Sequence, residues 1–127
     1  YLRVQAAMMA GITSIRFLND TEKARTYWKF VLEQFKDFKF FTLQASYLNG
    51  AMDDDTFRRQ IRQSEKWAAE GAYTIGLKRW AEGDMQAAAG EFKRCLADIS
   101  DKESRPKKIP QKWAWEDLQR IREKEKN

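Results

Sequence analysis

Residues Trp67–Leu96 read WAAEGAYTIGLKRWAEGDMQAAAGEFKRCL. Ala72, Ile75, Gly76 and Trp80 recur at helical spacing and share one face. Glu82-Gly83-Asp84 follows. Gly83 can enter the left-handed conformation that ends a helix, and Asp84 can cap the next one. Ala88, Phe92, Cys95 and Leu96 then mark the face of a second helix. Two helices joined by so short a turn pack antiparallel. Gly76 and Ala88 fall where the backbones meet. Phe92, four residues past Ala88, fills the space beside them.

The segment resembles a tetratricopeptide repeat, whose pattern is W-x2-L-G-x2-Y, then A-x3-F, then P. Ile75-Gly76 stands for the L-G pair, Ala88-x3-Phe92 for A-x3-F, and Gly83-Asp84 for the usual turn. The departures are Ala72 at the Trp position, Arg79 at the Tyr position and Ser100 near the Pro position.

Outward from this stretch the same outline returns twice. Asn19-Asp20-Thr21-Glu22 combines a turn residue with a cap. Ala24, Trp28, Val31 and Leu32 then repeat the spacing of Ala88, Phe92, Cys95 and Leu96, with Gly11 in the place of Gly76. Asn49-Gly50 makes a middle turn, and Asp53-Asp54-Asp55 offers caps whose charge suits a helix N-terminus. Phe57 and Ile61 hold the Ala-x3-Phe spacing there, and the bulk of Phe57 predicts a splayed pair.

The expected fold is therefore all-α: an antiparallel helix-pair solenoid of about seven helices. They fall near 2–18, 20–35, 38–49, 54–63, 65–81, 84–98 and 111–125. Three repeats, about 4–36, 37–66 and 67–100, precede a basic connector over 101–110 and a C-terminal capping helix over 111–127. Asp37 and Ser64 are candidate caps. Pro106 and Pro110 mark the connector as extended. Trp113, Leu118 and Ile121 give the last helix an apolar stripe that can fold back onto the third repeat, with Trp115 outside it. The scarcity of glycine and proline, six and two, favours helix throughout.

Composition narrows the function. No histidine is present, so the commonest general base and transition-metal ligand are both missing. Cys95 is the sole cysteine, which leaves no intrachain disulfide and no cysteine metal cluster. It sits on the buried face of its helix and reads as a small core residue. Glu65, Glu70, Glu82 and Glu91 are spaced as solvated faces, and nothing pairs them as acid and base. The three aspartates lack the spacing of a calcium loop. These features argue against an enzyme and against any cofactor or metal.

The formal charge of +5 is a mild excess, with nine basic against six acidic residues from Asp101 onward. Such an excess is ordinary solvated surface. Nucleic-acid binding through Lys107, Lys108, Lys112 and a stacking Trp115 stays as an alternative. No apolar run is long enough to span a bilayer. The chain opens at Tyr1 already in helical pattern and reads as a piece of a longer protein. Its compartment is undetermined, with the cytoplasm favoured.

The family resemblance implies a protein-interaction module that holds a partner segment in a concave face lined by first helices. By position, the first repeat presents Gln5, Met8, Ile12 and Ile15, with Arg16 alongside. The third presents Glu70, Tyr73, Leu77 and Trp80. Lys39, Thr42, Ser46 and Asn49 are the middle repeat's candidates. Tyr73 and Leu77 stand where some members carry the polar groups of a carboxylate clamp, so no such clamp is expected. Alternatively, Met8, Ile12, Tyr73 and Trp80 are simply core. Met8-Met9 with Ala6, Ala7, Ile12 and Ile15 makes the first helix apolar on much of its circumference. A missing upstream helix, a partner, or a second copy in a homo-oligomer could each cover that surface.

Overall fold

The computed structural model describes residues 2–62, 68–97 and 109–126. Among the described residues there are seven helices and no strand: α1 (Leu2–Arg16), α2 (Thr21–Gln34), α3 (Lys39–Leu48), α4 (Asp54–Ile61), α5 (Ala68–Ala81), α6 (Met85–Cys95) and α7 (Ile109–Lys126). The chain divides into two compact units, residues 1–60 and 61–127.

In the first unit α1 packs against α2, and α2 against α3. The turn between α1 and α2 is made by Asn19, at φ 50°. Asp20 then caps α2: its Oδ1 accepts the Lys23 amide at 3.0 Å. Across the hairpin, a Cβ on Gly11 would collide with the Trp28 indole, so only glycine lets the two helices approach this closely. Ala24, Trp28 and Val31 are buried along α2.

The second unit opens with the same device 64 positions on. Gly83, at φ 84°, ends α5, and Asp84 Oδ1 accepts the Ala87 amide at 3.1 Å to start α6. A Cβ on Gly76 would collide with the Phe92 ring. Ala88, Phe92 and Cys95 are buried in the places of Ala24, Trp28 and Val31. The α1–α2 turn carries one residue more: Asp20 N–H reaches Ser14 O, whereas Asp84 N–H reaches Arg79 O.

Between these hairpins α3 and α4 meet ring on ring. Tyr47 stacks on Phe57 with centroids 4.2 Å apart and planes 11° from parallel, and both rings are fully buried. A large ring here, where the other hairpins have Ala24 and Ala88, changes the joint from a close backbone contact to a stacked pair. The Tyr47 hydroxyl donates to Asp54 at 2.7 Å, and Asp53 Oδ1 accepts the Thr56 amide at 2.8 Å. The first two aspartates of the run are thus tied to helix starts and packing.

Three expectations change. Phe38, not Asp37, stands at the N-cap of α3, and no side chain caps that end. Pro110 lies inside α7 rather than in the connector. Proline is tolerated at this position because the first amides of a helix have no intrahelical partner to lose. Trp113 is only half-buried, while Ala114 and Asp117, which were not on the expected stripe, are fully buried beside Leu118 and Ile121. Ser64, Lys107 and Lys108 lie outside the described residues.

Candidate functional site

α7 packs on both α6 and α5. Gln111 reaches the end of α6, where its Nε2 donates to Cys95 O at 3.2 Å. One turn further on, α7 meets the ring of Tyr73 from α5. Tyr73 lies between Phe92 and Trp113, with centroids 5.5 and 5.7 Å away. Its hydroxyl donates to Asp117 Oδ2 at 2.9 Å. Asp117 is fully buried, and the Arg120 guanidinium lies 3.6 Å from its other oxygen. A buried carboxylate is costly unless paired, and this one has both a hydroxyl and a cation. Further along, Arg120 and Lys124 lie over the Trp80 ring at 5.3 and 5.8 Å, within cation–π range.

The residues read as a concave binding face are therefore placed as follows. Tyr73, Leu77 and Trp80 are buried within the second unit. Tyr73 and Trp80 carry α7 on their rings. Met8, Ile12 and Ile15 are buried as well, and Gln5 and Glu70 are half-buried. Arg16 is buried, with its guanidinium 4.7 Å over the Phe17 ring. Of the middle-repeat candidates, Lys39 and Asn49 are exposed, and Thr42 and Ser46 are half-buried. Trp115 and Lys112 of the alternative nucleic-acid reading are half-buried and exposed, respectively.

A different surface is open. Leu2, Met9, Phe17 and Leu18 are 79%, 42%, 58% and 57% exposed. Ala6 and Thr13 are exposed beside them, and Ala10 is half-buried. At 100° per residue, Leu2, Ala6, Met9, Thr13 and Phe17 fall on one narrow stripe. Val4, Ala7, Met8, Gly11, Ile12 and Ile15 fall on the opposite side and are buried. α1 is thus apolar on two opposed faces, and one of them meets solvent. The sequence signal was the helix's lack of polar residues: only Arg3, Gln5, Thr13, Ser14 and Arg16 interrupt it.

No helix among the described residues is long and apolar enough to cross a membrane. Compared with protein-family models, with curated proteins and with solved structures, the chain matches none.

Proposed function

We propose that this chain is a protein-interaction module and not an enzyme, and that it engages an apolar or amphipathic helical segment through the outward stripe of α1. The observation that carries the reading is the exposure of Leu2, Met9 and Phe17 on one face of a helix whose opposite face is already buried. Scattered surface hydrophobes are ordinary, but a continuous stripe at i, i+4, i+7, i+11 and i+15 presents anchor positions of the kind helix-recognising surfaces use. A partner taken up on the α5 face instead would have to displace α7 from Tyr73 and Trp80.

The test is a photo-crosslinking amino acid placed at Thr13, with Gln86, exposed on α6, as the control position. The expected result is a covalent adduct with a polypeptide from Thr13, absent from Gln86 and abolished by Met9→Glu. Adducts that ignore Met9→Glu, or none from Thr13 in the concentrated protein and in the cells that make it, would remove this function from α1.

A further inference from the structure

α1 and α5 are the first helices of two like hairpins, and they differ on one face. Gly11 and Gly76 stand 65 positions apart and take the same close contact, with Trp28 and Phe92. At that offset Met8 matches Tyr73, Ile12 matches Leu77 and Ile15 matches Trp80, and all six are buried. The outward stripe breaks the match. Ala6, Met9 and Thr13 are exposed, and Ala10 is half-buried. Their counterparts Gly71, Thr74 and Ile75 are buried, and Lys78 is half-buried.

The residue seated on α5 at this face is Ile61, the last of α4. A Cβ on Gly71 would stand 2.9 Å from its Cγ2. Ile61 is itself buried. We infer that the open stripe of α1 takes an occupant of the same kind: a branched aliphatic side chain on a helix, here an acidic amphipathic helix of another polypeptide. This rests on the reading of α1 as the docking surface and names the chemistry of its partner.

Ala6 corresponds to Gly71 in size as well as in place. Leu2 and Met9 stand four residues before it and three after, so they are its neighbours along the helix surface. Both are large and exposed, and Ala6 between them is small. A branched aliphatic side chain set over Ala6 covers its own apolar surface and theirs together. The chain shows this seat filled once, at Gly71, and open once, at Ala6.

Charge selects the polar part of the partner. α1 carries Arg3 and Arg16 and no acid. Arg3 is exposed beside Leu2, and the Arg16 guanidinium lies over the Phe17 ring at the other end of the stripe. Beyond that end, Lys23 is exposed, Asp20 accepts its amide to cap α2, and Glu22 lies 3.5 Å from Arg25. Over residues 1–25, Arg3, Arg16, Lys23 and Arg25 outnumber Asp20 and Glu22 by two. An acidic helix complements this excess, whereas a basic helix or a second α1 would be repelled by it.

Two synthetic helical peptides test the proposal by fluorescence anisotropy. Each carries isoleucine at i, i+4, i+7 and i+11. One flanks the isoleucines with glutamate and the other with lysine. The acidic peptide should bind roughly tenfold more tightly than the basic one, and added salt should weaken it. Replacing its isoleucines with alanine should abolish binding. Ala6→Arg should do the same, because it fills the seat while adding positive charge. Arg3→Glu should weaken the acidic peptide and strengthen the basic one. Helical circular dichroism should be unchanged in both variants, since positions 3 and 6 are exposed. The proposal is overturned if neither peptide binds, if the two bind alike, or if the acidic peptide is indifferent to Ala6→Arg. A foreign polypeptide captured from the Thr13 probe while neither peptide binds would leave the interaction function standing with a different partner chemistry. No adduct and no bound peptide would remove both.

Discussion

The Tyr73 hydroxyl and the Asp117 carboxylate, 44 residues apart in sequence, meet in a buried 2.9 Å hydrogen bond that joins α5 to α7. Tyr73→Phe leaves Asp117 buried with one partner fewer. It should cost about 1–3 kcal/mol in chemical denaturation. Asp117→Leu in the Tyr73→Phe background removes the stranded acid as well and should recover part of that loss. If the single and double variants are equally destabilised, the bond is not what the carboxylate depends on.

Two glycines of the α5–α6 hairpin should respond to alanine with opposite signs. Gly90 faces open space in a helix interior, so Gly90→Ala should stabilise by about 0.5–1 kcal/mol through helix propensity alone. Gly76→Ala makes the same propensity gain but drives a methyl into the Phe92 ring. Overpacking costs about 1–3 kcal/mol, enough to outweigh the gain. Phe92→Leu should reduce the penalty of Gly76→Ala in a double-mutant cycle. Gly11→Ala should behave like Gly76→Ala, with Trp28 in the role of Phe92. Thermal melts of the single variants would decide it, and a stabilising Gly76→Ala would contradict the packing described.

The hairpins were legible because their signals are local. Asp20 and Asp84 sit three residues before the amides they cap, and Gly11 and Gly76 lie 17 and 16 residues before the rings that press on them, the difference being the extra residue of the first turn. The return of the last helix onto the third repeat was expected from its stripe, but not that it would lie on the Tyr73 and Trp80 rings of α5 as well as on α6. Periodicity states that Tyr73, Leu77 and Trp80 share a side of α5, but not what covers that side. The cover comes from α7, beyond a long connector, and it relies partly on Asp117, an acid that no hydrophobic pattern selects. Pro110 misled for a related reason. Proline breaks a helix interior yet suits a helix's first turn, and sequence alone did not show which side of the boundary it occupied. The aspartate run was legible as a cap, which Asp53 supplies to the Thr56 amide, but the Tyr47 bond to Asp54 needed the fold of α3 onto α4.

Ala88 and Ala24 occupy equivalent places, and both are fully buried. Ala88→Leu and Ala24→Leu should each overpack their hairpin and cost roughly 1–3 kcal/mol. Ala87→Leu, at a half-buried neighbour, should cost much less. Urea denaturation of the three variants compares them directly. Equal losses at Ala87 and Ala88 would mean that α6 presents a different face to α5 from the one described.

The helix α7 should be a structural part of the second unit rather than a free tail. Leu118 and Ile121 are 4% and 2% exposed, and Ala114 and Asp117 are fully buried. A buried Leu or Ile cut back to Ala typically costs about 2–5 kcal/mol, a large share of a total stability near 5–15 kcal/mol. Leu118→Ala and Ile121→Ala should therefore each lower the melting temperature by roughly 10 °C or more. Trp113→Ala, at a half-buried ring against Tyr73, should do so by a smaller margin. Lys112→Ala, on the exposed side, should leave it unchanged. Truncation after Ala97 should have the largest effect, since it uncovers Tyr73 and Trp80 together and removes the Asp117 bond. It should also raise aggregation as those rings meet water. A truncated chain that melts like the full one would show that α7 does not hold the second unit. Tryptophan fluorescence would then separate the remaining cases, because Trp80 shifts to a solvent-exposed spectrum only where α7 had been covering it.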